Sequence, residues 1–482
     1  MGKSIRRGFV CLKVLLVNTL NYPYYPCLGL GYIGTYLQVH GHKVIIFDVG
    51  KGFKKYEETL LSFKPDFVGF NSFTAGMTTL KNLIQLTRSH SDTQIVIGGH
   101  HANAEPLETF KTLKPDFVVL GEGEHKMLQL VEQTVAPSKM DGLLTEVNGQ
   151  LYESYKVDFI KNLDDLPFPD RKLMNAEECE GDWMVKRTPY TSAITGRGCP
   201  YSCSFCANNV MWKRRFRKRS IHNVLDEVEE LLSEGWKEIY FADDTFTVVK
   251  DYVLRFCKEI HDRGLDFTWK VFARVDTVDS EMLKSMKKAG CHLLCFGVES
   301  GNQKTLDLFN KGTDLDTIKS AFQLCHKIRI NTNACLIFNV LGETKQDFLN
   351  TLDLVKEIRP NWLALCPLTP FPGTELRSKM LSLGLGVSED FEDYRTDQFK
   401  VFQSYMLDMS PREIEKKAHE FVYDYLSQWS FCPKILSYGF SGFKQWLWTV
   451  QFNGEKAGRR FSYFYKLFYR YLHYMEGMLK ND

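Results

Sequence analysis

Two successive parallel-sheet domains followed by a mainly helical region, an α/β chain, is what three features of this sequence predict. Short β-branched runs alternate with amphipathic segments from Lys13 to about residue 135, and the same rhythm resumes between about residues 190 and 380. A turn- and proline-rich stretch separates the two. Beyond about residue 385 the rhythm stops and helical patterns take over. The first run reads as a doubly wound, Rossmann-like sheet. The second supplies six βα units, three-quarters of a (β/α)8 barrel, so a partial (β/α)6 barrel open along one side. The expected division is 1–140, a linker with a hairpin over 141–185, the barrel over 186–385, and a helical region over 386–482.

In the first domain the strand candidates are 14–17, 44–47, 67–70, 95–97 and 117–120. Helices are expected near 30–39, 56–63, 78–88, 104–112 and 125–132. Asn148-Gly149, flanked by apolar residues, is a hairpin signal. Leu163-Asp-Asp-Leu-Pro-Phe-Pro-Asp170 reads as an extended connector, because each proline pushes its predecessor away from helix.

A doubly wound domain binds its ligand at the carboxyl ends of its strands. Gly29-Leu-Gly31-Tyr-Ile-Gly34 matches G-x-G-x-x-G, and Asp48 ends the next strand, which suggests a dinucleotide. Against it, the fingerprint needs its first glycine directly after strand one, and Asn18 to Leu28 intervene. Two other glycine turns follow strands: Gly98-Gly99-His100-His101 and Gly121-Glu122-Gly123-Glu124. Paired glycines let backbone approach a flat ligand closely.

In the second domain the strand candidates are 192–195, 238–242, 268–273, 293–298, 334–339 and 362–366, with helices over 220–233, 251–263 and 279–289 among those between. Directly after the first of these strands lies Gly196-Arg-Gly-Cys199-Pro-Tyr-Ser-Cys203-Ser-Phe-Cys206, a C-x3-C-x2-C spacing. Three thiolates on one tight loop hold three irons of a [4Fe–4S] cluster and leave the fourth open to chemistry. Structural zinc wants four closed ligands, and no fourth Cys or His lies nearby at that spacing. The other strand ends are polar or glycine-rich as well: Asp243-Asp244-Thr245, Arg274, Glu299-Ser300-Gly301, Leu341-Gly342-Glu343-Thr344 and Pro367 to Gly373. All fall on the rim where a barrel places its chemistry. For any one of them helix capping is the competing role, as for Asp243 or Asp279.

Composition narrows the classes. The chain has 482 residues, 44% hydrophobic and 25% charged, with a formal net charge of +2, so no global field favours nucleic acid or an acidic substrate. The 13 cysteines are odd in number and scattered, unlike a secreted disulfide framework. No signal peptide and no apolar stretch of about 18 residues is legible, which places the protein in the cytoplasm. The most basic run, Trp212-Lys-Arg-Arg-Phe-Arg-Lys-Arg219, reads as a solvated segment leading into the next helix, with one arginine turned toward the site, or as a surface steering a phosphorylated or nucleic-acid substrate. Arg459 to Met475 mixes aromatics and bases at helical spacing; peripheral membrane contact, a cover over an apolar substrate, and packing on the barrel are the readings.

The loop C-x3-C-x-aromatic-C, with Phe241-Ala-Asp-Asp-Thr-Phe246, Phe296-Gly-Val-Glu-Ser-Gly301 and Pro370-Phe-Pro-Gly-Thr374, resembles the radical S-adenosylmethionine (SAM) superfamily over about residues 190 to 380. Pro26-x-Leu28-Gly-Leu30-Gly, Gly41-His42-Lys-Val44 and the two later glycine turns resemble the cobalamin-binding domain that precedes the barrel in many such proteins. The resemblance implies that Cys199, Cys203 and Cys206 hold a [4Fe–4S] cluster whose open iron is chelated by SAM, and that one electron cleaves SAM to a 5′-deoxyadenosyl radical. It implies SAM contacts from Phe205, Asp243, Asp244, Arg274, Glu299, Ser300 and Gly342. Cobalamin contacts would come from Leu28, Gly29, Asn71, Ser72, Gly98, Gly99, His100, Gly121, Glu122, Gly123 and Glu124. The D-x-H-x-x-G motif is absent, so the cobalamin would be base-off. The activity implied is methylation of an unactivated carbon of a small-molecule, lipid or tetrapyrrole-like substrate, with an electron donor such as flavodoxin or ferredoxin and no nucleic acid. An oxidative cyclase or rearrangement enzyme of the tetrapyrrole-cyclase type shares the domain order. An RNA methylthiotransferase would need a second cysteine triad before the barrel, where only Cys11, Cys27 and Cys179 stand. A cluster-bearing carrier or cobalamin sensor would cleave no SAM.

Overall fold

Nearly every strand expected from the β-branched runs forms, and alternation decides which face each residue covers. In the computed structural model, which describes residues 10–20, 25–179, 181–182, 184–396 and 400–426, the first sheet is built from β1 (Lys13–Asn18), β2 (Lys43–Asp48), β3 (Phe67–Asn71), β4 (Gln94–Gly98) and β5 (Phe117–Val119), all parallel. Helices α1 (Leu28–Val39), α2 (Phe53–Phe63), α3 (Met77–His90), the short α4 (His100–Ala104), α5 (Pro106–Leu113) and α6 (Glu124–Glu132) cover it. Leu15 and Val17 join one core with Val68 and Ile97, while Val14 and Leu16 join the other with Val96 and Met127. Both faces are therefore buried, as a parallel sheet requires.

The hairpin at Asn148-Gly149 forms, but it is not a free linker. Its strands β6 (Leu143–Val147) and β7 (Gln150–Glu153) extend the first sheet antiparallel, in the order β2-β1-β3-β4-β5-β6-β7. The reversal of strand order lies at β1 and β3, where a doubly wound sheet opens its crevice. There Asn71 donates to Asn18 Oδ1 (2.9 Å) and accepts from the Thr19 amide (2.8 Å).

The dinucleotide fingerprint dissolves on inspection of its glycines. All three lie within α1 rather than in a turn before it. A Cβ on Gly31 would stand 2.1 Å from the Met174 sulfur, and one on Gly34 2.9 Å from a Leu173 methyl. These two glycines let the connector pack against the helix. Asp48, the expected ribose acid, accepts from the Asn18 side chain at 2.8 Å.

The second sheet holds β8 (Tyr190–Ala193), then, after the short pair β9 (Gly196–Arg197) and β10 (Arg217–Lys218) that brackets α7 (Asn208–Trp212), β11 (Glu238–Phe241), β12 (Thr268–Ala273), β13 (Cys291–Glu299), β14 (Asn331–Phe338) and β15 (Trp362–Pro367). Its order, β15-β14-β13-β12-β11-β8, is sequential and wholly parallel. Helices α8 (Ile221–Ser233), α9 (Lys250–Asp262), α10 (Ser280–Lys288), α11 (Gln303–Leu308), α12 (Leu315–Ile328), α13 (Lys345–Ile358) and α14 (Glu375–Ser382) run along the outside. Their starts are capped by side chains: Ser220 accepts from the Asn223 amide, Asp279 from Met282, Asp314 from Thr317, and Thr344 forms a capping box with Asp347.

The described residues between 386 and 410 are less helical than their pattern suggests. Residues 400–409 form an irregular strap over the barrel rim: Tyr405 receives the Gly342 amide (3.0 Å) and donates its own to Asn339 Oδ1 (2.9 Å), while the Leu407 amide reaches Glu343 (2.9 Å). Helix α15 (Pro411–Leu426) follows. The aromatic and basic stretch 459–475 lies outside the described residues. No helix among the described residues is long and apolar enough to cross a membrane.

Burial also sets a pH response. His101 is 4% exposed, bonded to Thr74 Oγ1 at 3.1 Å, and burial pushes its imidazole down to about 4. The unfolded chain binds this proton near 6.5 and the fold does not, so stability is fully present above about pH 6.5 and falls as pH drops toward 4. The loss approaches ~3 kcal/mol. Urea unfolding at pH 7 and pH 5 is expected to show the fall in the wild type, reduced in His101→Gln.

Candidate functional site

The cysteine loop grows from the end of β8 and is anchored on three sides. At its base, β9 pairs antiparallel with β10, Arg197 facing Arg217 and Gly196 facing Lys218. In the middle, the Ser204 amide donates to Phe309 O (2.9 Å) and the Leu376 amide to Ser204 O (2.9 Å). At the far end Asn209 donates to Cys203 O at 3.0 Å. Cys199, Cys203 and Cys206 are unpaired thiols that sense one another electrostatically. Burial raises the thiol of Cys206 to about 12 and also raises that of Cys203, which a bound cation would reverse.

The donor set fits a [4Fe–4S] cluster. Three free thiols stand on one loop with no fourth Cys or His at finger spacing in the sequence, a set that leaves a position open rather than the closed tetrahedron structural zinc wants. A hydrogen-bond donor stands at one of the sulfurs: Arg274 Nη1 lies 3.7 Å from Cys203 Sγ, while Thr245 Oγ1, 3.5 Å from Cys199 Sγ, gives its own proton to the Asp244 carbonyl at 2.7 Å. Such a donor tunes a cluster.

Of the residues expected at SAM, the structure keeps some at the site and engages others elsewhere. Asp244 stays beside the loop; it takes a bond from Asn208 at 2.6 Å, and burial with Asp243 nearby raises its carboxyl to about 6. Phe205 packs on Phe309, ring centroids 4.8 Å apart, in an apolar cluster with Val340 and Leu341 next to Gly342. Gly342 is exposed at φ +75, with open space where a Cβ would be. Glu299, also left-handed at φ +65, forms a buried ion pair with Lys311 at 2.5 Å.

Asp243 does not reach the site. It accepts from the Thr195 amide (2.6 Å) and hydroxyl and from Lys218 Nζ (2.8 Å), which ties the rim of β11 to the base of the cysteine loop. Ser300, fully buried, bonds Glu343 (3.2 Å) and receives the Asn302 amide (3.2 Å), in a polar network between β13 and α13. Arg274 is chelated by Asp276 at 2.9 and 2.8 Å and stacks 3.8 Å from the Tyr201 ring centre. Its charge faces the cysteine loop already half-neutralised.

The expected cobalamin set divides the same way. Leu28, Gly29, Gly98, Gly99 and His100 lie exposed or half-exposed at the strand ends, and a Cβ added at Gly29 would meet nothing within 4 Å. Open backbone there suits a flat ring. Asn71 is spent on Asn18 and Thr19, and Ser72 on Gly98 O (2.7 Å) and the Ala102 amide (3.0 Å). Gly121 and Gly123 close on Val157 and Ile33. Glu122 and Glu124 are turned wholly to the barrel: Arg197 gives Nη1 to Glu122 and Nη2 to Glu124, both at 2.6 Å, and Arg217 adds a bond to Glu122 at 2.8 Å. All three of Glu122, Glu124 and Arg197 are at most 8% exposed. The turn expected to touch a corrin is therefore an ion-pair clamp onto the strand that begins the cysteine loop. One signal of it is present in the chain, because Arg197 sits between two glycines with no carboxylate near it in sequence.

Sequence reasoning missed a second link. His100 hydrogen-bonds Asn208, the residue that holds Asp244, and α4 packs on α7. The glycine turn of the first domain thus reaches a residue two positions past Cys206.

A parallel barrel with a three-cysteine loop on the carboxyl rim, clamped to a doubly wound domain whose own strand ends face it, defines a cluster-bearing barrel protein with an accessory cofactor domain. Comparison agrees: residues 193–355 match the radical SAM superfamily and residues 14–131 the B12 binding domain. The chain belongs to the radical SAM proteins that carry a cobalamin-binding domain. It is 28% identical over 379 residues to an uncharacterised methyltransferase of Pyrococcus horikoshii, covering 77% of this chain and 82% of that one. It is also 28% identical over 389 residues to the anaerobic magnesium-protoporphyrin IX monomethyl ester cyclase of Rubrivivax gelatinosus, covering 77% and 68%. In fold it resembles the radical SAM methyltransferase TsrM of Kitasatospora setae, solved with cobalamin and a [4Fe–4S] cluster, at TM-score 0.67 and 19% identity over 79% of this chain and 80% of that one.

Removing the central cation tests the clamp. Arg197→Met leaves two buried carboxylates without their main partner and is expected to cost about 3–5 kcal/mol. The readout is the urea midpoint; adding Glu124→Gln to the Met variant is expected to recover part of the loss.

Proposed function

We propose that this protein is a cobalamin-dependent radical SAM methyltransferase of the cytoplasm acting on an apolar small molecule, held where the cysteine loop overhangs an unfilled barrel. The observation that carries the reading is the barrel's concave face. Phe241 and Trp269 pack outward on Phe256 of α9, and Phe296 on Phe322 of α12. By alternation, Tyr240, Phe272, Cys295, Gly297, Cys335, Ile337, Ala364 and Cys366 point the other way. A closed barrel fills that space with layers of bulky side chains. Here Gly297, Cys335, Ala364 and Cys366 bring small residues to it beside the larger Tyr240, Phe272 and Ile337, and most of the face keeps solvent contact, with Phe272 37% exposed. The lower end is narrowed by Tyr25 of the first domain, 4.8 Å from Tyr240, with Lys270 Nζ 5.2 Å from the Tyr25 ring.

With cluster and SAM bound, one electron cleaves SAM and supplies a primary radical that removes hydrogen from substrate; cobalamin supplies the methyl group. The chain's own residues set the stage. Cys199, Cys203 and Cys206 would ligate the cluster, Arg274 would donate to the Cys203 sulfur, and Asp244, Phe205, Glu299 and the Gly342 turn would line the SAM position. Leu28, Gly29, Gly98, Gly99 and His100 would hold the cobalamin, Gly29 with open space beside its backbone and His100 with an imidazole, in a chain without the D-x-H-x-x-G motif. An apolar concave face with aromatic walls favours a polycyclic or lipid-like substrate. A one-electron donor completes the system.

The cyclase relative favours a second reading, oxidation or ring closure without methyl transfer. Product analysis separates the two. After anaerobic reconstitution with iron, sulfide and hydroxocobalamin, SAM and a reductant are expected to yield both 5′-deoxyadenosine and S-adenosylhomocysteine. Deoxyadenosine alone assigns the cyclase chemistry, and absence of both sinks the enzyme reading. Cys203→Ala is expected to abolish deoxyadenosine formation.

A further inference from the structure

The basic run 213–219 separates into two halves with different employment. Arg217, Lys218 and Arg219 are turned inward and paired: Arg217 with Glu122 (2.8 Å), Lys218 with Asp243 (2.8 Å), and Arg219 with Glu227, which also holds Arg171 at 2.6 Å. Lys213, Arg214 and Arg215 are all exposed, and among the described residues none forms an ion pair. Arg215 leans on the Phe159 ring at 5.9 Å. Solubility alone does not account for their placement.

These three residues cap the β9–β10 ladder on the turn opposite the cysteines. Lys213 and Arg214 adopt left-handed backbone, φ +49 and +61, a conformation that side-chain-bearing residues rarely take. The turn is pressed against the cysteine loop itself: a Cβ on Gly198 would lie 1.8 Å from the Arg215 carbonyl oxygen. Lys213 and Arg214 also border an open cleft of about 370 Å³ that includes Cys203, Cys206 and Val210, with Glu375 as its one acidic wall. Two cluster-ligand positions are thus reached from solvent through a mouth set with fixed positive charge.

Resting on the reading of the cysteines as a cluster site, we infer that the Lys213–Arg215 turn is the docking surface for an acidic one-electron carrier protein. The step it serves is simple in its balance. One electron leaves the reduced carrier, which is oxidised by one electron, and passes through the cleft to the [4Fe–4S] cluster that the cysteines would hold, which would be reduced by one electron; no proton or group moves with it. Three exposed cations beside a buried redox position steer a negatively charged partner and fix its register, and the effect is screened by salt. The net charge of +2 supplies no such field elsewhere, so the attraction is local.

The test uses the full chain and a flavodoxin as the acidic carrier. Lys213→Glu with Arg214→Glu is expected to weaken flavodoxin binding to the as-isolated protein about tenfold or more at low ionic strength and to flatten its salt dependence. Lys213→Gln with Arg214→Gln is expected to lie between. A zero-length carboxyl–amine crosslink between flavodoxin and Lys213 should be found by mass spectrometry in the wild type. In reconstituted protein, SAM cleavage driven by reduced flavodoxin should fall in parallel with binding, while cleavage driven by titanium(III) citrate should stay at the wild-type rate. Wild-type carrier affinity in the reversal variant overturns the assignment, as does a loss confined to binding of transfer RNA. Absence of SAM cleavage with titanium(III) citrate in the wild type instead overturns the enzymatic reading, and the binding measurement still decides the docking surface.

Discussion

Arg197 between Glu122 and Glu124 is the constraint on which the rest of this molecule depends. One guanidinium spans two carboxylates from a single turn of the first sheet, and its own strand leads two residues later into Cys199. Rigid bidentate geometry suits arginine and not lysine here, because the fork fixes orientation as well as distance. Both acids have only a few percent of their surface exposed, so the attraction is little screened, and the penalty for misplacement is an unpaired buried charge. Arg197 also lies 4.9 Å from the Tyr32 ring of α1, which adds a third wall. The cysteine loop is thereby referenced to the strand ends of the first domain at the scale of single bonds.

The barrel rim shows how polar strand ends are divided between holding and acting. Asp243, Ser300, Glu343 and Asn302 are buried in hydrogen-bond networks that lock β11 to the cysteine loop and β13 to α13. Asp244, Phe205 and Gly342, each adjacent to one of these anchors or to the triad, stay open to the site. A reacting constellation needs its first contacts supported by a second layer that cannot rotate. Consecutive residues facing opposite sides of one strand end supply both at once, which explains why acidic and hydroxyl residues come in pairs on this rim.

The fold class and most strand positions were legible because parallel strands buried on both faces leave an unmistakable run of β-branched residues. So was the triad, whose spacing alone limits the chemistry. The two glutamates after β5 were not, since a glycine-acid-glycine-acid turn looks the same whether it meets a ligand or an arginine more than seventy residues away. Gly31 and Gly34 mislead for a related reason: glycine spacing reports close approach, but not what approaches, and here it is Met174 and Leu173. The strap 400–409 was invisible because its bonds to the rim are irregular, joining backbone groups with the single side chains Asn339 and Asp408, and leave no periodic pattern in the sequence.

The unfilled concave face follows from the same logic as the clamp. A barrel missing two strands loses the side chains that would close it, and its remaining inner residues here are among the smallest available: Gly297 beside Cys335, Cys335 beside Ala364. Such a face does not stabilise the barrel by its own packing, so stability has to come from the outer layer, where Phe241, Phe256 and Trp269 interlock edge to face. That arrangement leaves the interior free to change shape with a ligand while the rim stays fixed. Under the proposed function, Tyr240, Phe272 and the half-buried Tyr25 would border the substrate along this face. The first domain contributes to both ends of this face, through Tyr25 below and through the clamp and His100 above.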